Sequence, residues 1–201
     1  MSERATPLLS IGIIFRNDIR CIERCLKALQ PLRDAIPCQL VMGDTGAIDG
    51  SREVAERYAD IVFDFPWIDD FAAARNAVAD KCTGEWCLTV DTDEYLDENI
   101  EELVGFLTGG NQTIIACRVN VRNYSSYEMD DAYSDFYALR MVRMSSGARY
   151  KGAIHEAWSD FKTGGGEKTL AKTIFHHDGY VNMGANPAKL ERNMSLLRKK
   201  L

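Results

Sequence analysis

In its first half the chain runs through four short apolar stretches separated by three segments of helical spacing. Nothing else in the sequence constrains the fold as strongly. Leu8-Leu9-Ser10-Ile11-Gly12-Ile13-Ile14-Phe15 is almost continuously apolar, as a strand buried on both faces must be. Ile22, Cys25, Leu26 and Leu29 then fall on one helical stripe, and Pro31 predicts that helix's end. Gln39-Leu40-Val41-Met42 and Ile61-Val62-Phe63 read as a second and a third strand. Trp86-Cys87-Leu88-Thr89-Val90 reads as a fourth, running straight into Asp91. Between them lie a helix starting near Ser51, which Asp49 can cap, and an Ala-rich helix over residues 71–81, which Asp69 or Asp70 can cap. This order predicts an α/β fold: a Rossmann-like, mostly parallel sheet with helices on both faces. Ligands of such sheets bind beyond the carboxyl ends of the strands, where Asp44 and Asp91 stand.

The second half changes character. A helix from about Asn99 to Leu107 stops at Gly109-Gly110. Strand-like stretches follow over residues 113–121, 136–144 and 172–177, separated by long polar connections, and residues 187–201 read as a basic helix with Leu190, Met194, Leu197 and Leu201 on one stripe. With 201 residues, 46% of them hydrophobic, the chain suits one domain with a full core. The net charge of -6, with no long Lys/Arg run, speaks against nucleic-acid binding. No segment approaches the roughly 18 consecutive apolar residues of a membrane span, and no signal peptide is recognisable, so a cytoplasmic location is expected. The six cysteines include no CxxC pair and read as reduced thiols.

Three segments carry candidate chemistry. In Leu88-Thr89-Val90-Asp91-Thr92-Asp93-Glu94, carboxylates at i and i+2 of an extended segment would point the same way. Two such groups repel unless a hard divalent ion joins them and leaves positions open for phosphate oxygens; the alternative is a solvated turn capping the next helix. In Asp44-Thr45-Gly46-Ala47-Ile48-Asp49-Gly50-Ser51, a carboxylate at a strand end can accept hydrogen bonds from a ribose or a base, or it can merely cap its loop. In Asp69-Asp70-Phe71-Ala72-Ala73-Ala74-Arg75-Asn76, Arg75 can pair with Asp44 or Asp91, face phosphates, or lie on a surface helix. The three histidines, His155, His176 and His177, cluster at two strand-like ends, either as ligand or base or as satisfied polar residues. His176 and His177 would point to opposite faces, so one at most can serve a given site.

Taken in order, these segments resemble the family-2 glycosyltransferases, which have the GT-A fold. The resemblance covers about residues 7 to 180 and rests on Ile14-Phe15-Arg16-Asn17-Asp18, Asp44-Thr45-Gly46 with Asp49-Gly50-Ser51, residues 70–76, Asp91-Thr92-Asp93-Glu94, Gly152 with Ile154-His155-Glu156, and His177 with Gly179-Tyr180. The opening is similar to a branch that reads Ile-Val-Lys-Asn-Glu there, and Ala47-Ile48 stands where Ser-Thr is usual. The resemblance implies a GT-A domain over residues 1–186, with a nucleotide-sugar half over about 7–98 and a smaller, β-containing acceptor-side half over about 99–186. Residues 187–201 would then be a C-terminal helix that begins a further helical module. It also implies donor binding by Phe15, Arg16, Asp44, Asp70, Arg75, Asp91 and Thr92, and Mn2+ or Mg2+ at Asp91, Asp93 and His177. The expected reaction takes a sugar from a nucleotide sugar, most simply UDP-linked, to a sugar, lipid-linked or peptide acceptor with inversion. Glu156 is the expected base and His155 the alternative. A sugar-phosphate nucleotidyltransferase would share the sheet and the acidic pair but needs a Gly-rich loop after the first strand, and residues 13–20 contain no glycine. A non-catalytic nucleotide-sugar binder or a truncated, inactive homologue is a third reading, against which the intact Asp91/Asp93 pair is a weak argument.

Overall fold

The structure, a computed structural model, describes residues 6–124 and 133–177. Its first half holds β1 (Leu9–Phe15), α1 (Ile22–Ala28), α2 (Gln30–Ala35), β2 (Cys38–Asp44), α3 (Ser51–Tyr58), β3 (Ile61–Asp64), α4 (Phe71–Ala79) and β4 (Trp86–Thr89). Its second half adds β5 (Glu94–Leu96), α5 (Glu101–Thr108), β6 (Ile114–Tyr124), β7 (Tyr133–Arg143), β8 (Arg149–Lys151), β9 (Ala157–Ser159) and β10 (Gly166–His177). The main sheet has the order β3-β2-β1-β4-β7-β6-β10-β5. The four strands of the first half are parallel, as alternation with helices requires. β7 then enters antiparallel between β4 and β6, β10 runs parallel to β6, and β5 closes the edge antiparallel to β10. The long strands of the second half thus extend the same sheet, and among the described residues only the β8–β9 pair forms a small sheet of its own.

The pleat sorts the core to two faces. Leu9, Ile11 and Ile13 of β1 and Trp86 and Leu88 of β4 pack with α1, α2, α3 and α5. Cys87, between the last two, turns to the other face and packs with Ala72 and Ala79 of α4 and with Tyr150 and Trp158 of the β8–β9 pair. Each of these fully buried aliphatic side chains contributes about 1.5–3 kcal/mol relative to exposure. α4 can approach β1 and β2 closely because both strands offer glycine beneath it. A Cβ on Gly12 or Gly43 would lie 2.9 Å from a methyl of Val78. Val78 sits one turn beyond Arg75, so this close docking also fixes where Arg75 emerges.

Several local expectations are corrected. Pro31 does not end the first helix: α1 stops at Ala28, and Pro31 lies in the first turn of α2, where its missing N–H costs nothing. The fourth strand ends at Thr89, so residues 91–93 form a turn rather than an extended run. β5 was not anticipated from the sequence. The expected C-terminal helix over residues 187–201 and the Gly179-Tyr180 pair lie outside the described residues.

Candidate active site

A cleft of about 870 Å3 opens at the carboxyl ends of β1 and β4. The loop after β1, Thr45 after β2, the segment before α4, the turn at residues 91–93, Arg140 on β7, the 154–156 loop and His177 at the end of β10 all contribute to its walls. The expected residues reach it in very different ways.

Asp91 is held by two guanidinium groups. Its Oδ1 accepts from Arg75 Nη2 at 2.6 Å and its Oδ2 from Arg140 Nη1 at 2.9 Å. Burial alone would raise its pKa, but the two arginines win and hold it well below the usual carboxylate range. Asp93 faces elsewhere: its Oδ2 lies 3.5 Å from His177 Nε2. The expected joint grip of Asp91 and Asp93 on one ion is therefore not met in this arrangement. The turn breaks the alternation on which it rested, and both oxygens of Asp91 already carry a cationic partner.

Arg75, only 9% exposed, spans the cleft floor. While Nη2 holds Asp91, its Nε donates to Glu156 Oε1 at 2.6 Å. Of the pairings open in the sequence, the structure selects Asp91 and adds Glu156, and Asp44 is not among them. Arg75 can reach Glu156 because α4 and the loop after β8 are tied together. Asn76 Nδ2 donates to the Tyr150 carbonyl at 3.0 Å, its Oδ1 accepts from Tyr150 N at 2.9 Å, and Phe71 N donates to the Ala153 carbonyl at 3.0 Å. Gly152 and His155 take positive φ, 101° and 56°, and the sharp bends they allow bring Glu156 inward while His155 stays exposed on the cleft's rim.

Asp44 is 5% exposed and turned into its own loop. Its Oδ1 accepts from Gly46 N at 2.8 Å and Ala47 N at 2.7 Å, and its Oδ2 from Arg52 Nη1 at 3.1 Å. A carboxylate so occupied shapes the loop, and it is the next residue, Thr45, that lines the cleft. Asp70 likewise caps α4, accepting from Ala73 N at 2.9 Å, and its neighbour Asp69 reaches the cleft wall. Phe15 anchors the floor: its carbonyl accepts from both Thr45 N and Thr45 Oγ1 at 2.9 Å. Arg16 is exposed at the rim, and Thr92 is buried beside the cleft.

His176 and His177 face opposite sides of β10. His177 joins the cleft, with Nδ1 against Asn123 Oδ1 at 2.7 Å, while His176 lies between Tyr124 and Asp97. Burial opposes the charged form of His177, but Asp93 outweighs it and raises the pKa above the ordinary value of 6.5. Sequence reasoning missed Arg140, Glu94 and Asn123. Arg140 had a signal, being a lone cation inside the apolar run Ala138-Leu139-Arg140-Met141-Val142, where burial demands partners. Those partners are Asp91 and Glu94. Burial, with Asp91 and Asp93 adding to it, pushes Glu94 up to about 7 against the pull of Arg140.

Asp93 and His177 suit a divalent cation. Two ligands each roughly 2.0–2.1 Å from a shared ion span a separation like their 3.5 Å. Among the described residues no third His, Cys, Asp or Glu joins them.

A model of the family described as glycosyl transferase family 2 matches residues 10–176. The SPbeta prophage-derived glycosyltransferase SunS of Bacillus subtilis (strain 168) is 24% identical over 202 residues, covering 98% of this chain and 46% of that protein. The lipopolysaccharide core biosynthesis glycosyltransferase LpsC of Rhizobium meliloti (strain 1021) is 29% identical over 121 residues, 58% of this chain and 43% of that protein. Among solved structures, the mannosyltransferase PcManGT from Pyrobaculum calidifontis, in complex with GDP-Man and Mn2+, matches with a TM-score of 0.64 at 14% identity over 95% of this chain and 62% of that one. The architecture is thus that of GT-A glycosyltransferases. The chain spans less than half the length of the two curated relatives. No described helix is long and apolar enough to cross a membrane.

Proposed function

The chain belongs to glycosyl transferase family 2, and from that premise we propose that it transfers a sugar from a nucleoside-diphosphate sugar to an acceptor in the cleft, with inversion and with Mn2+ or Mg2+ at Asp93 and His177. One observation carries this reading: the Asp93–His177 pair and the Arg75–Glu156 pair line the same cleft at the carboxyl ends of the sheet. The first pair suits the leaving diphosphate and the second suits the attacking acceptor.

Inversion needs one base opposite the leaving group. Glu156 fits, because Arg75 holds Oε1 and so orients the side chain, and the second oxygen can take the acceptor's proton. When bound, the cation would stabilise, as a Lewis acid, the charge growing on the leaving diphosphate. His155, at the rim, is the alternative base. Thr45, Arg16 and the loop organised by Asp44 frame the nucleoside end of the donor. The acceptor is a sugar, a lipid-linked sugar or a peptide side chain.

The test is a panel of nucleotide sugars incubated with Mn2+ and no acceptor, including UDP- and GDP-linked donors because the similar mannosyltransferase holds GDP-Man. Slow release of nucleoside diphosphate is the expected result. Pyrophosphate formed from a nucleoside triphosphate and a sugar phosphate would overturn the reading in favour of a nucleotidyltransferase. Binding of a nucleotide sugar without any turnover would overturn it in favour of a non-catalytic binder.

A further inference from the structure

His177 stands between two neighbours in the sheet. On β6 its register partner is Asn123, and on β5 it is Glu94. The imidazole turns its Nδ1 to Asn123 Oδ1 at 2.7 Å and its Nε2 to Asp93 Oδ2 at 3.5 Å. An amide oxygen can only accept, so the hydrogen at this contact belongs to His177 Nδ1. In the neutral ring the lone pair is then on Nε2, aimed at a carboxylate oxygen. Two acceptors that face each other at this separation require a cation between them, either a proton on Nε2 or a metal ion.

The adjacent histidine makes the contrast. His176 sits in the same strand, yet Tyr124 Oη lies 2.7 Å from its Nδ1 and Asp97 Oδ2 lies 2.9 Å from its Nε2. Both of its nitrogens are engaged by protein groups. In His177 the Nδ1 meets an amide oxygen at 2.7 Å, while Nε2 faces the Asp93 carboxylate across a longer separation of 3.5 Å.

We infer that Asn123 is a positioning residue that holds His177 in its Nδ1–H tautomer and so presents Nε2, together with Asp93, to the divalent cation. This rests on the metal reading proposed above. An outer partner of this kind fixes both the tautomer and the orientation of a ligating imidazole, and its loss typically weakens metal binding about 10–100-fold. Neither composition nor motif marks Asn123, because only the strand register brings it beside His177.

The experiment uses the full chain. In the metal-free wild type, long-range 1H–15N spectra of the three histidine rings, recorded at a pH high enough to leave them neutral, report the tautomer of His177 directly. Nδ1–H is expected, and Nε2–H would overturn the inference. Mn2+ binding is then followed by the loss of the free-ion paramagnetic signal, alone and with UDP or GDP, in wild type, Asn123→Ala and Asn123→Asp. Asn123→Ala should bind Mn2+ about 10–100-fold more weakly, whereas Asn123→Asp, which can still accept from Nδ1–H, should stay within about threefold of wild type. Equal affinity in Asn123→Ala and wild type would overturn the inference while leaving the metal reading in place. A wild type that takes up no Mn2+ under any of these conditions would remove the metal reading itself, and the inference with it. The tautomer measurement needs no variant, so a poorly folding substitution does not remove the test.

Discussion

Replacing Arg75 by methionine is the most informative single perturbation of the cleft. The guanidinium is 9% exposed and holds Asp91 and Glu156 at 2.6 Å each, with Asp91 32% and Glu156 13% exposed. Removing one partner of a fully buried pair costs about 3–5 kcal/mol. Two features reduce that figure. Asp91 is partly solvated and keeps Arg140, and Arg75 itself buries an Nη1 that has no partner among the described residues, an orphan that methionine would remove. The expected net cost is about 2–3 kcal/mol, or roughly 4–12 °C in melting temperature for a domain of this size. Urea unfolding of wild type, Arg75→Met, Glu156→Gln and the double variant forms a cycle. A coupling of about 1 kcal/mol or more is expected between two residues in direct contact. Additivity within about 0.5 kcal/mol, or a single-variant cost below about 0.5 kcal/mol, would refute the picture of Arg75 as the brace between the two halves of the cleft. In turnover assays Arg75→Met should also depress the rate more than nucleoside-diphosphate affinity, since the base loses its orientation.

Glu156→Gln keeps the shape and removes the proton acceptor, so turnover should fall roughly 100-fold or more with donor affinity unchanged. A fall under about threefold would transfer the base to His155. Asp44→Ala removes the acceptor of two loop N–H groups and should weaken UDP and GDP alike, by on the order of 1–3 kcal/mol, with faster amide exchange over residues 45–50. A loss confined to one base would show instead that Asp44 reads the base. Because Asp93 raises the pKa of His177, the stability this pair contributes is full below the ordinary value of 6.5 and is lost as pH rises through the raised value. Mn2+ binding runs the other way, needing the neutral ring, and should tighten up to about tenfold per pH unit until that pKa is passed. Calorimetric Mn2+ titrations across pH check this, and a flat profile would count against His177 as a ligand. Gly84→Ala would put a Cβ 2.6 Å from Ser10 N and 2.7 Å from the Leu9 carbonyl carbon, both backbone atoms. It should cost about 1–3 kcal/mol in urea unfolding, and a neutral result would show that β1 and the turn before β4 can part freely.

By itself the sequence determined whatever is local. Continuous apolar runs identify β1 and β4 because a strand buried on both faces has no polar face to show. Alternation with helical stripes sets the parallel order of the first four strands, and the end of β4 puts the acidic turn at the carboxyl edge of the sheet. Period-two alternation alone sends His176 and His177 to opposite faces. What only the tertiary structure decided is long-range or depends on competition for one side chain. Arg75 meets Glu156 across 81 positions and Arg140 meets Asp91 across 49, and no periodicity encodes such pairs. The acidic pair divides between two arginines and a histidine because the chain turns at residues 91–93 instead of staying extended. Asp44 and Asp70 were legible as acids at the right edge, but each has backbone N–H groups two or three residues ahead, and those nearer donors claim the carboxylate. Asn123 becomes meaningful only through its register beside His177. A sequence names the groups at an edge, but the partners they take depend on distances that packing alone sets.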